Sequence, residues 1–312
     1  MKKLFGMLML VTLLFSGCGK PKYEINIAQQ YGIAYAPLAI MEQKHFLEDS
    51  LPGIKVNWKQ FGGPTSIREG MLSGDIDIGF MGAAPVLVGI DNGMPWRYAC
   101  GISANEVAIV TDNPNVNTLA DFTKKDRIAI LSPACTQHVL LCMLAREQLG
   151  DPHILDVQTV SMSHPDAASA LIANTEITAH VSTPPYISEE LKAGAHKIAT
   201  GREIMGEHFT FITGVAMEDF HRERPKEYAA FITALEKSIS YINDNMDEAV
   251  KILAPLYDLS ESELKEQMTY EGTIYSTRLE GTAALSKAMY EMGFIKNNLK
   301  FEDVTFDNVN KE

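Results

Sequence analysis

Strand-like and helix-like patterns alternate along most of this chain, and this alternation limits the possible folds more than any other feature. Alternating apolar residues mark the strands, and turns rich in Gly and Pro separate them from segments with helical periodicity. In the first part of the chain the predicted order is a strand at 25–27, a helix at 36–48, a strand at 54–58, a helix at 66–73, a strand at 76–80, a helix at 86–92, and strands at 96–102 and 106–111. Strands that alternate with helices form a largely parallel sheet covered by helices, so we expect an α/β fold.

The alternation starts again near Leu119 and predicts a second α/β unit, followed by a helical C-terminal region. The second unit is predicted as a short helix at 119–122, a strand at 127–131, a helix ending at 149, a strand at 156–162, a helix at 165–173, a strand at 177–182, a helix at 185–193 and a strand at 196–199. A strand-like run at 209–212 leads into helices that begin near 225 and then lie near 246–257, 260–270 and 279–293. In the first of these helices the spacing predicts one apolar face, formed by Phe231, Leu235, Ile239 and Ile242. With 312 residues the chain is long enough for two such units.

The N-terminus has the layout of a secretory signal. Met1–Lys3 is basic, Leu4–Phe15 is largely apolar, and small residues precede Cys18. The apolar run is shorter than the roughly 20 residues that span a bilayer. We expect a signal peptide at 1–17, lipidation of Cys18 as in bacterial lipoproteins, and a lipidated tether at 18–22. The alternative is an ordinary signal peptide that happens to contain a cysteine.

Charge and cysteine content argue against a nucleic-acid partner and against a zinc site. The chain has 27 Lys and Arg against 40 Asp and Glu, a formal net charge of -13, so we expect no nucleic-acid partner. Beyond Cys18, an odd number of cysteines remains, namely Cys100, Cys135 and Cys142. No Cys and His spacing is typical of a zinc site, so we expect structural thiols, no metal and no cofactor.

Five segments, in this order along the chain, resemble one known family. They are Gly32–Leu38, Leu72–Gly79, Leu119–Phe122, Ser132–His138 and Thr183–Tyr186. The family is that of the solute-binding proteins that serve nitrate, sulfonate, taurine and thiamine-precursor ABC importers. The similarity covers about residues 23–295, and it implies a two-lobed periplasmic binding protein fold of type II whose chain crosses between the lobes twice.

The resemblance implies a domain organisation and partners. Lobe 1 is expected at 23–106 and 214–312, lobe 2 at 113–205, and the hinge crossings at 107–112 and 206–213. A small-molecule ligand would bind in the cleft and close the hinge, and permease and ATPase subunits would be the protein partners. We expect an exported monomer that touches the membrane only through its lipid anchor.

Loops at the carboxyl ends of the predicted strands are the expected ligand-binding elements. These loops contain aromatic and amide side chains but no Lys or Arg, which suits a small, flat organic molecule. The candidate ligand-binding residues are Gln30, Tyr31, Tyr35, Phe61, Thr65, Gly82, Ala83, Asn105, Thr136, Gln137, His138 and Tyr186. Each aromatic residue could instead belong to the core of a lobe, and the helix start at Ser132–His138 could be plain capping.

The residues favour a nitrogen heterocycle, such as a thiamine-precursor pyrimidine, as the ligand. A sulfonate, taurine or nitrate anion is the alternative, because the helix start near Thr136 attracts negatively polarised groups and Arg68, Arg97 or Arg202 could reach the cleft.

Two further classes of function are a lipid-tethered sensor or adhesin and an enzyme. The fungal thiamine-pyrimidine synthases and two menaquinone-pathway enzymes resemble this family, and Cys135 with His138 could form a nucleophile and a base. The cysteine-rich run of the fungal synthases is absent here, so we expect no enzyme.

Overall fold

The computed structural model describes residues 23–206, 208–270 and 272–309. The predicted signal peptide at 1–17, the tether at 18–22 and the lipidation site Cys18 lie outside the described residues. Within the described ranges, no helix combines the length and apolarity that a membrane crossing requires.

Eleven strands are formed by the described residues. They are β1 (Tyr23–Gln29), β2 (Ile54–Gln60), β3 (Ile78–Gly82), β4 (Trp96–Ala104), β5 (Ala108–Thr111), β6 (Ile128–Ile130), β7 (Thr159–Ser161), β8 (Ala179–Ser182), β9 (His196–Thr200), β10 (Ile212–Met217) and β11 (Ile274–Tyr275).

Helices follow most of these strands and dominate the C-terminal region. They are α1 (Ala36–Gln43), α2 (Phe46–Ser50), α3 (Pro64–Leu72), α4 (Ala83–Asp91), α5 (Thr136–Leu149), α6 (His164–Ile172), α7 (Tyr186–Lys192), α8 (Gly201–Met205), α9 (Glu218–Glu223), α10 (Pro225–Asp244), α11 (Met246–Tyr257), α12 (Glu261–Met268), α13 (Thr282–Glu291) and α14 (Phe301–Val304). Short 3₁₀ turns lie at Ile33–Tyr35, Leu119–Asp121 and Asp156–Gln158.

The strands form two separate sheets, one in each lobe. The first sheet has the order β11-β4-β10-β3-β1-β2, and the second has the order β7-β6-β8-β5-β9. The first lobe is built on the first sheet and the second lobe on the second sheet. The α/β prediction and the two-lobed fold are therefore confirmed.

The prediction of largely parallel sheets is only partly right. β1 runs parallel to β2 and β3, and β6 runs parallel to β7 and β8. In contrast, β10 is antiparallel to β3 and β4, and β5 is antiparallel to β8 and β9. These two strands are the ones by which the chain enters a sheet from the other lobe. β5 and β10 each start at the sheet edge at which the adjacent strands end. Each therefore runs antiparallel to the strands beside it.

Two connections carry the chain between the sheets. The first is the short segment 105–107 between β4 and β5, and the second is 201–211 between β9 and β10. The predicted first crossing, 107–112, therefore contains β5, a strand of the second sheet. The strand predicted at 209–212 begins only at Ile212, because the Thr210 N–H donates to Glu280 O at 2.9 Å and is used outside a strand ladder.

The helix predicted at 36–48 is two helices. α1 ends at Gln43 and α2 begins at Phe46, and between them His45 has a left-handed φ of 54°. That conformation ends the helical hydrogen-bond pattern and turns the chain. The turn places Phe46 and Leu47 in the core, where both are buried.

The core of the first lobe is closed by α10. The residues predicted to form one apolar face of this helix, among them Phe231, Leu235 and Ile242, are buried, which confirms that prediction. The helix packs against α1 and α2, and the Phe231 ring lies 5.9 Å from the Phe80 ring of β3. This packing fixes the carboxyl end of β3, from which the site described next is built.

Candidate functional site

A cavity lies between the facing edges of the two sheets; we call it the interlobe cavity. The first lobe contributes the residues that follow β1, β2 and β3 together with the start of β10, and the second lobe contributes those that follow β6, β7 and β8. The lining residues are Gln30, Tyr31, Ala34, Tyr35, Pro64, Gly82, Pro85, Leu131, Cys135, Thr136, Gln137, His164, Thr183, Phe211 and Ile212. Strand ends of both sheets converge here, as expected for a ligand site in α/β sheets.

The walls of the interlobe cavity are close together. The free volume is about 10 Å³, about what one water molecule needs. An organic solute therefore enters only if the two lobes move apart and close again around it.

Hydrogen bonds join the two lobes across the cavity. The Ala84 N–H, in the first turn of α4, donates to Thr136 Oγ1 at 3.1 Å, and the Ile33 N–H donates to the Pro184 carbonyl at 3.2 Å. The first bond is buried. Because each bond has its donor in the first lobe and its acceptor in the second, both must break when the lobes separate.

Two glycines permit this close approach. Gly32 has a φ of 125°, which favours glycine, and a Cβ there would lie 3.3 Å from the Pro184 carbonyl oxygen. A Cβ on Gly82 would overlap Thr136 Oγ1. Side chains at these positions would keep the walls apart.

The cavity wall carries no formal charge among the described residues. None of those that line it is a Lys, Arg, Asp or Glu. Burial lowers the pKa of His164 well below its ordinary value, and the neighbouring His180 adds to this effect, so His164 is neutral. Burial also raises the pKa of Tyr35, whose hydroxyl stays protonated. A solute that carries a net charge would find no counter-charge here.

Three helices begin in the wall of the cavity. α3 starts at Pro64, α4 follows Gly82, and α5 follows Cys135, whose Sγ accepts from the His138 N–H at 3.4 Å. Helix N-termini carry unpaired N–H groups and a partial positive charge. They therefore favour a carbonyl, a ring nitrogen or an oxyanion in the cavity.

A buried chain of polar side chains runs from the cavity into the second lobe. Gln137 Nε2 lies 3.0 Å from His164 Nε2, His164 Nδ1 lies 2.8 Å from His180 Nε2, and His180 Nδ1 lies 2.5 Å from Glu190 Oε1. We call these four residues the histidine relay. The Tyr186 ring stacks on His164 with centroids 5.7 Å apart and an interplanar angle of 18°.

His180 and Glu190, the two innermost residues of the histidine relay, have strongly shifted pKa values. Burial raises the pKa of Glu190 to about 8, and the Ser182 hydroxyl partly offsets this. Burial lowers the pKa of His180 to about 3. The pair is therefore neutral, with a protonated Glu190 beside a neutral His180 at neutral pH.

The structure divides the candidate ligand-binding residues into two groups. Those that line the interlobe cavity are Gln30, Tyr31, Tyr35, Gly82, Thr136 and Gln137. Those that do not line it are Phe61, Thr65, Ala83, Asn105, His138 and Tyr186. Thr65 lines a neighbouring crevice of about 240 Å³ together with Arg68, and Asn105 lines a third pocket with Arg202. Arg97 Nε donates to Glu218 Oε1 at 2.7 Å.

His138 faces away from the interlobe cavity. Its Nδ1 accepts from the Ala134 N–H at 3.0 Å, so the proton resides on Nε2, which donates to Asp156 Oδ1 at 2.9 Å. The ring also packs edge-on against Phe294, with centroids 5.3 Å apart. His138 is thus not placed as a base for Cys135, and burial raises the pKa of the Cys135 thiol rather than activating it.

One cluster of potential metal ligands lies behind the cavity. His138 Nε2, Cys142 Sγ and an Asp156 carboxylate oxygen lie within 4.8 Å of one another. A metal would need the lone pair of Nε2, which here holds the proton donated to Asp156. Burial raises the pKa of the Cys142 thiol, and Asp156 raises it further. The hydrogen-bonded arrangement does not fit a metal, and Cys100, Cys135 and Cys142 are buried, free thiols.

The histidine relay was not predicted as a unit. His164 lies between the predicted strand at 156–162 and the predicted helix at 165–173, and His180 lies within the predicted strand at 177–182. A histidine between apolar neighbours, as in Ala179–Val181, does indicate a buried polar group that needs a partner. Its partners His164 and Glu190 could not be identified without the packing of α6 and α7 on β8.

One protein-family model matches most of this chain. Residues 19–254 match the model of the NMT1-like family. The chain belongs to the NMT1-like family. This membership agrees with the family-level resemblance found in the sequence, while the thiamine-precursor and lipoprotein details stay predictions.

Individual proteins similar to this NMT1-like chain include binding proteins from several bacteria. A protein of Bacillus subtilis (strain 168), provisionally named as an aliphatic sulfonates-binding protein, is 26% identical over 83% of this chain and 80% of its own length. The taurine-binding periplasmic protein of Escherichia coli (strain K12) is 24% identical over 84% of this chain and 82% of its own. The alkanesulfonate-binding protein of Xanthomonas axonopodis pv. citri, solved with MOPS bound, shares the fold, with a TM-score of 0.76, 19% identity, and coverage of 92% of this chain and 99% of its own.

Proposed function

We propose that this chain is the solute-binding component of an ABC-type importer. Its task would be to capture a small organic solute in the interlobe cavity and to present it to a permease driven by an ATPase. The observation that carries the proposal is the interlobe cavity itself, which has walls from both lobes and hydrogen bonds that form only on closure. Similar proteins are named as binding proteins, and none of the three described above is named as an enzyme.

The connections 105–107 and 201–211 would act as the hinge. Both are short relative to the lobes they join, and the second ends at Phe211, which lines the cavity. Rotation about them would break the bond between Ala84 and Thr136 and admit the solute. The two lobes given in the sequence analysis are part of this proposal, with the crossings at these two connections in place of 107–112 and 206–213.

The uncharged wall supports a solute without net charge. Burying a lone sulfonate or nitrate anion beside no cation would cost several kcal/mol. A nitrogen heterocycle, such as a thiamine-precursor pyrimidine, satisfies this condition and could contact Tyr31 and Tyr35 in the wall.

A zwitterionic sulfonate is the second candidate. The N-termini of α3, α4 and α5 in the wall favour an oxyanion, and two similar proteins are named as binding taurine or aliphatic sulfonates. Taurine has no net charge, so it meets the same condition as the heterocycle.

The export and anchoring of the chain complete the proposal. A signal peptide at 1–17 would direct export, and lipidation of Cys18 would hold the protein on the extracytoplasmic face of the membrane. We infer a monomer that interacts with the membrane through the lipid alone.

Calorimetry with a matched pair of variants tests the proposal. Wild-type protein should bind taurine or 4-aminopyrimidine, the two probes of the two solute classes. Gly82→Ala should weaken that binding at least about tenfold, because the added methyl overlaps Thr136 Oγ1 and keeps the lobes apart. Gly63→Ala is the control, since Gly63 has an extended φ of -172° and its nearest neighbour would lie 3.7 Å from the new Cβ. Equal binding by both variants, or no binding of either probe by wild type, would contradict the proposal.

A further inference from the structure

Every member of the histidine relay can both donate and accept hydrogen bonds. The Gln137 amide has an oxygen and an NH₂ group, a neutral imidazole has one N–H and one bare nitrogen, and a protonated carboxyl group has one O–H and one carbonyl oxygen. Burial lowers the pKa of His164 and His180 and raises that of Glu190, so all three are neutral at neutral pH. No member therefore sets the direction of the hydrogen bonds by its charge.

Backbone groups fix the ring protons of other histidines but not those of the relay. His138 Nδ1 accepts from a backbone N–H, and His196 Nε2 donates to a backbone carbonyl at 2.7 Å, so Nε2 carries a proton in both. The partners that the described residues give to the rings of His164 and His180 are side chains of the relay. These two rings are therefore free to change tautomer together.

One direction of the relay runs from the cavity inward. The Gln137 NH₂ group donates to His164 Nε2, and His164 Nδ1 donates to His180 Nε2. His180 Nδ1 then donates to Glu190 Oε1, and the acid proton of Glu190 is on Oε2. This direction leaves the amide oxygen of Gln137 for the cavity, which Gln137 lines.

The outward direction uses the same three contacts. Glu190 Oε1 carries the acid proton and donates to His180 Nδ1, and His180 Nε2 donates to His164 Nδ1. His164 Nε2 then donates to the Gln137 oxygen once the amide has turned over, which leaves the NH₂ group for the cavity. The Ser182 hydroxyl interacts with the Glu190 carboxyl group and can donate or accept, so it suits both positions of the acid proton.

Both directions hold the same number of protons, one on each histidine and one on Glu190. On reversal from inward to outward, His164 Nδ1 passes its proton to His180 Nε2, and His180 Nδ1 passes its own to Glu190 Oε1. His164 Nε2 takes up one proton from solvent through the interlobe cavity. Glu190 Oε2 releases one to solvent through a crevice of about 150 Å³ that Glu190 lines together with Asp112. Because the relay has a cavity at each end, reversal leaves no charge in the core.

We propose that the histidine relay reverses its direction, so that Gln137 presents either its amide oxygen or its NH₂ group to the solute. Gln137 is then a specificity-determining residue that adapts to a donor or to an acceptor, and the bound solute fixes the direction. The reversal itself occurs in the solute-free protein. For the role of the solute, the inference rests on the proposed function.

Nitrogen-15 NMR of the histidine rings measures the direction. Both His164 and His180 carry their proton on Nδ1 in the inward direction and on Nε2 in the outward direction. In solute-free wild type at neutral pH, the two populations should lie within about tenfold of each other. They would be seen as intermediate nitrogen shifts or as two sets of signals. His138 and His196 are the internal controls, since their Nε2 carries a proton throughout.

Ionisation of Glu190 provides the opposite limit. A carboxylate only accepts, so above the Glu190 pKa of about 8 both relay histidines should move to the Nδ1 limit. The titratable groups beside Glu190 are the neutral His180, Glu189 in α7 and Asp112 at the crevice. Glu190→Gln is the matched variant, because its amide donates or accepts but cannot ionise. Its histidine signals should stay intermediate at alkaline pH.

A bound solute should move the signals of both relay histidines together toward one limit. The probes are taurine and 4-aminopyrimidine at saturating concentration, because each offers Gln137 a donor or an acceptor. Gln137→Met removes both amide groups, so addition of the probe to this variant should leave the relay signals unchanged.

The outcomes separate this inference from the proposed function. Relay histidines at one limit in solute-free wild type, or a His180 protonated on both nitrogens at neutral pH, would overturn the inference. Signals that stay intermediate when a probe binds would also overturn it and would leave the importer function standing. Absence of binding by both probes would contradict the proposed function and, with it, the role of Gln137 in specificity.

Discussion

Replacing the buried acid of the histidine relay should change how stability depends on pH. Glu190 is fully buried and lies 2.5 Å from His180. Burial raises the pKa of Glu190 from 4.5 to about 8, so the folded protein holds a proton that the unfolded chain has lost above pH 4.5. Stability from this group is full below pH 4.5 and is lost as pH rises to about 8.

His180 acts in the opposite direction in the acidic range. Burial lowers the pKa of His180 from 6.5 to about 3, so the unfolded chain binds the extra proton between these values and stability falls as pH falls. The two effects cancel between pH 4.5 and 6.5. The lowered pKa of His164 adds only to the loss at acidic pH. Above pH 6.5 neither His164 nor His180 opposes the Glu190 effect, which amounts to about 2 kcal/mol from 6.5 to 8 at about 1.4 kcal/mol per pH unit. His153, whose pKa is raised by its bond to the Met292 carbonyl, adds a loss of stability in the same direction that is common to wild type and to variants at position 190.

Urea unfolding of wild type and Glu190→Gln, followed by circular dichroism at several pH values, measures this effect. The wild-type free energy of unfolding should fall by about 2 kcal/mol between pH 6.5 and 8. In the variant, whose amide still reaches His180 but cannot ionise, the free energy of unfolding should fall by about 2 kcal/mol less than in wild type over the same interval. Parallel curves for the two proteins across that interval would refute the assignment of a buried, protonated Glu190.

Three other perturbations have defined outcomes. Cys18→Ser should move the exported protein from the detergent phase to the aqueous phase in phase partitioning, and unchanged partitioning would show that Cys18 is not the anchor. Addition of a bound solute should lower the radius of gyration in small-angle scattering while circular dichroism stays constant, whereas an unchanged radius would contradict lobe closure. Thr136→Val removes the acceptor of the Ala84 N–H and should shift the solute-free protein toward more open forms, seen as a larger radius than that of wild type.

Local sequence patterns predicted those strands and helices whose hydrophobic periodicity is clear. Alternation and turn residues located most strands and helices, and the apolar face of α10 around Phe231 and Leu235 is buried as predicted. Local patterns could not show that β5 and β10 run antiparallel to their neighbours, because their direction depends on where the chain crosses between lobes. They also missed the break at His45, whose left-handed conformation serves the packing of Phe46.

The candidate site was only partly accessible from sequence. The rule that ligands bind at strand ends selected the loops that carry Gln30 and Thr136, and both line the cavity. It could not tell which side chains of one loop face inward. His138 lies two residues beyond Thr136, about 200° around the helix, and it faces Asp156 instead. His164 and His180 belong to different elements of the second lobe, so no short sequence pattern predicts the hydrogen bond between them.

Native mass spectrometry tests the central claim most directly. The exported wild-type protein and the Gly82→Ala variant would be purified in parallel from cells grown with taurine and 4-aminopyrimidine, and their masses recorded under non-denaturing conditions. The account predicts one small molecule per wild-type chain and none on the variant, whose added methyl overlaps Thr136 Oγ1 in the closed cavity. A wild-type chain without any bound solute, or the same bound mass on both proteins, would contradict the claim that the interlobe cavity captures the solute.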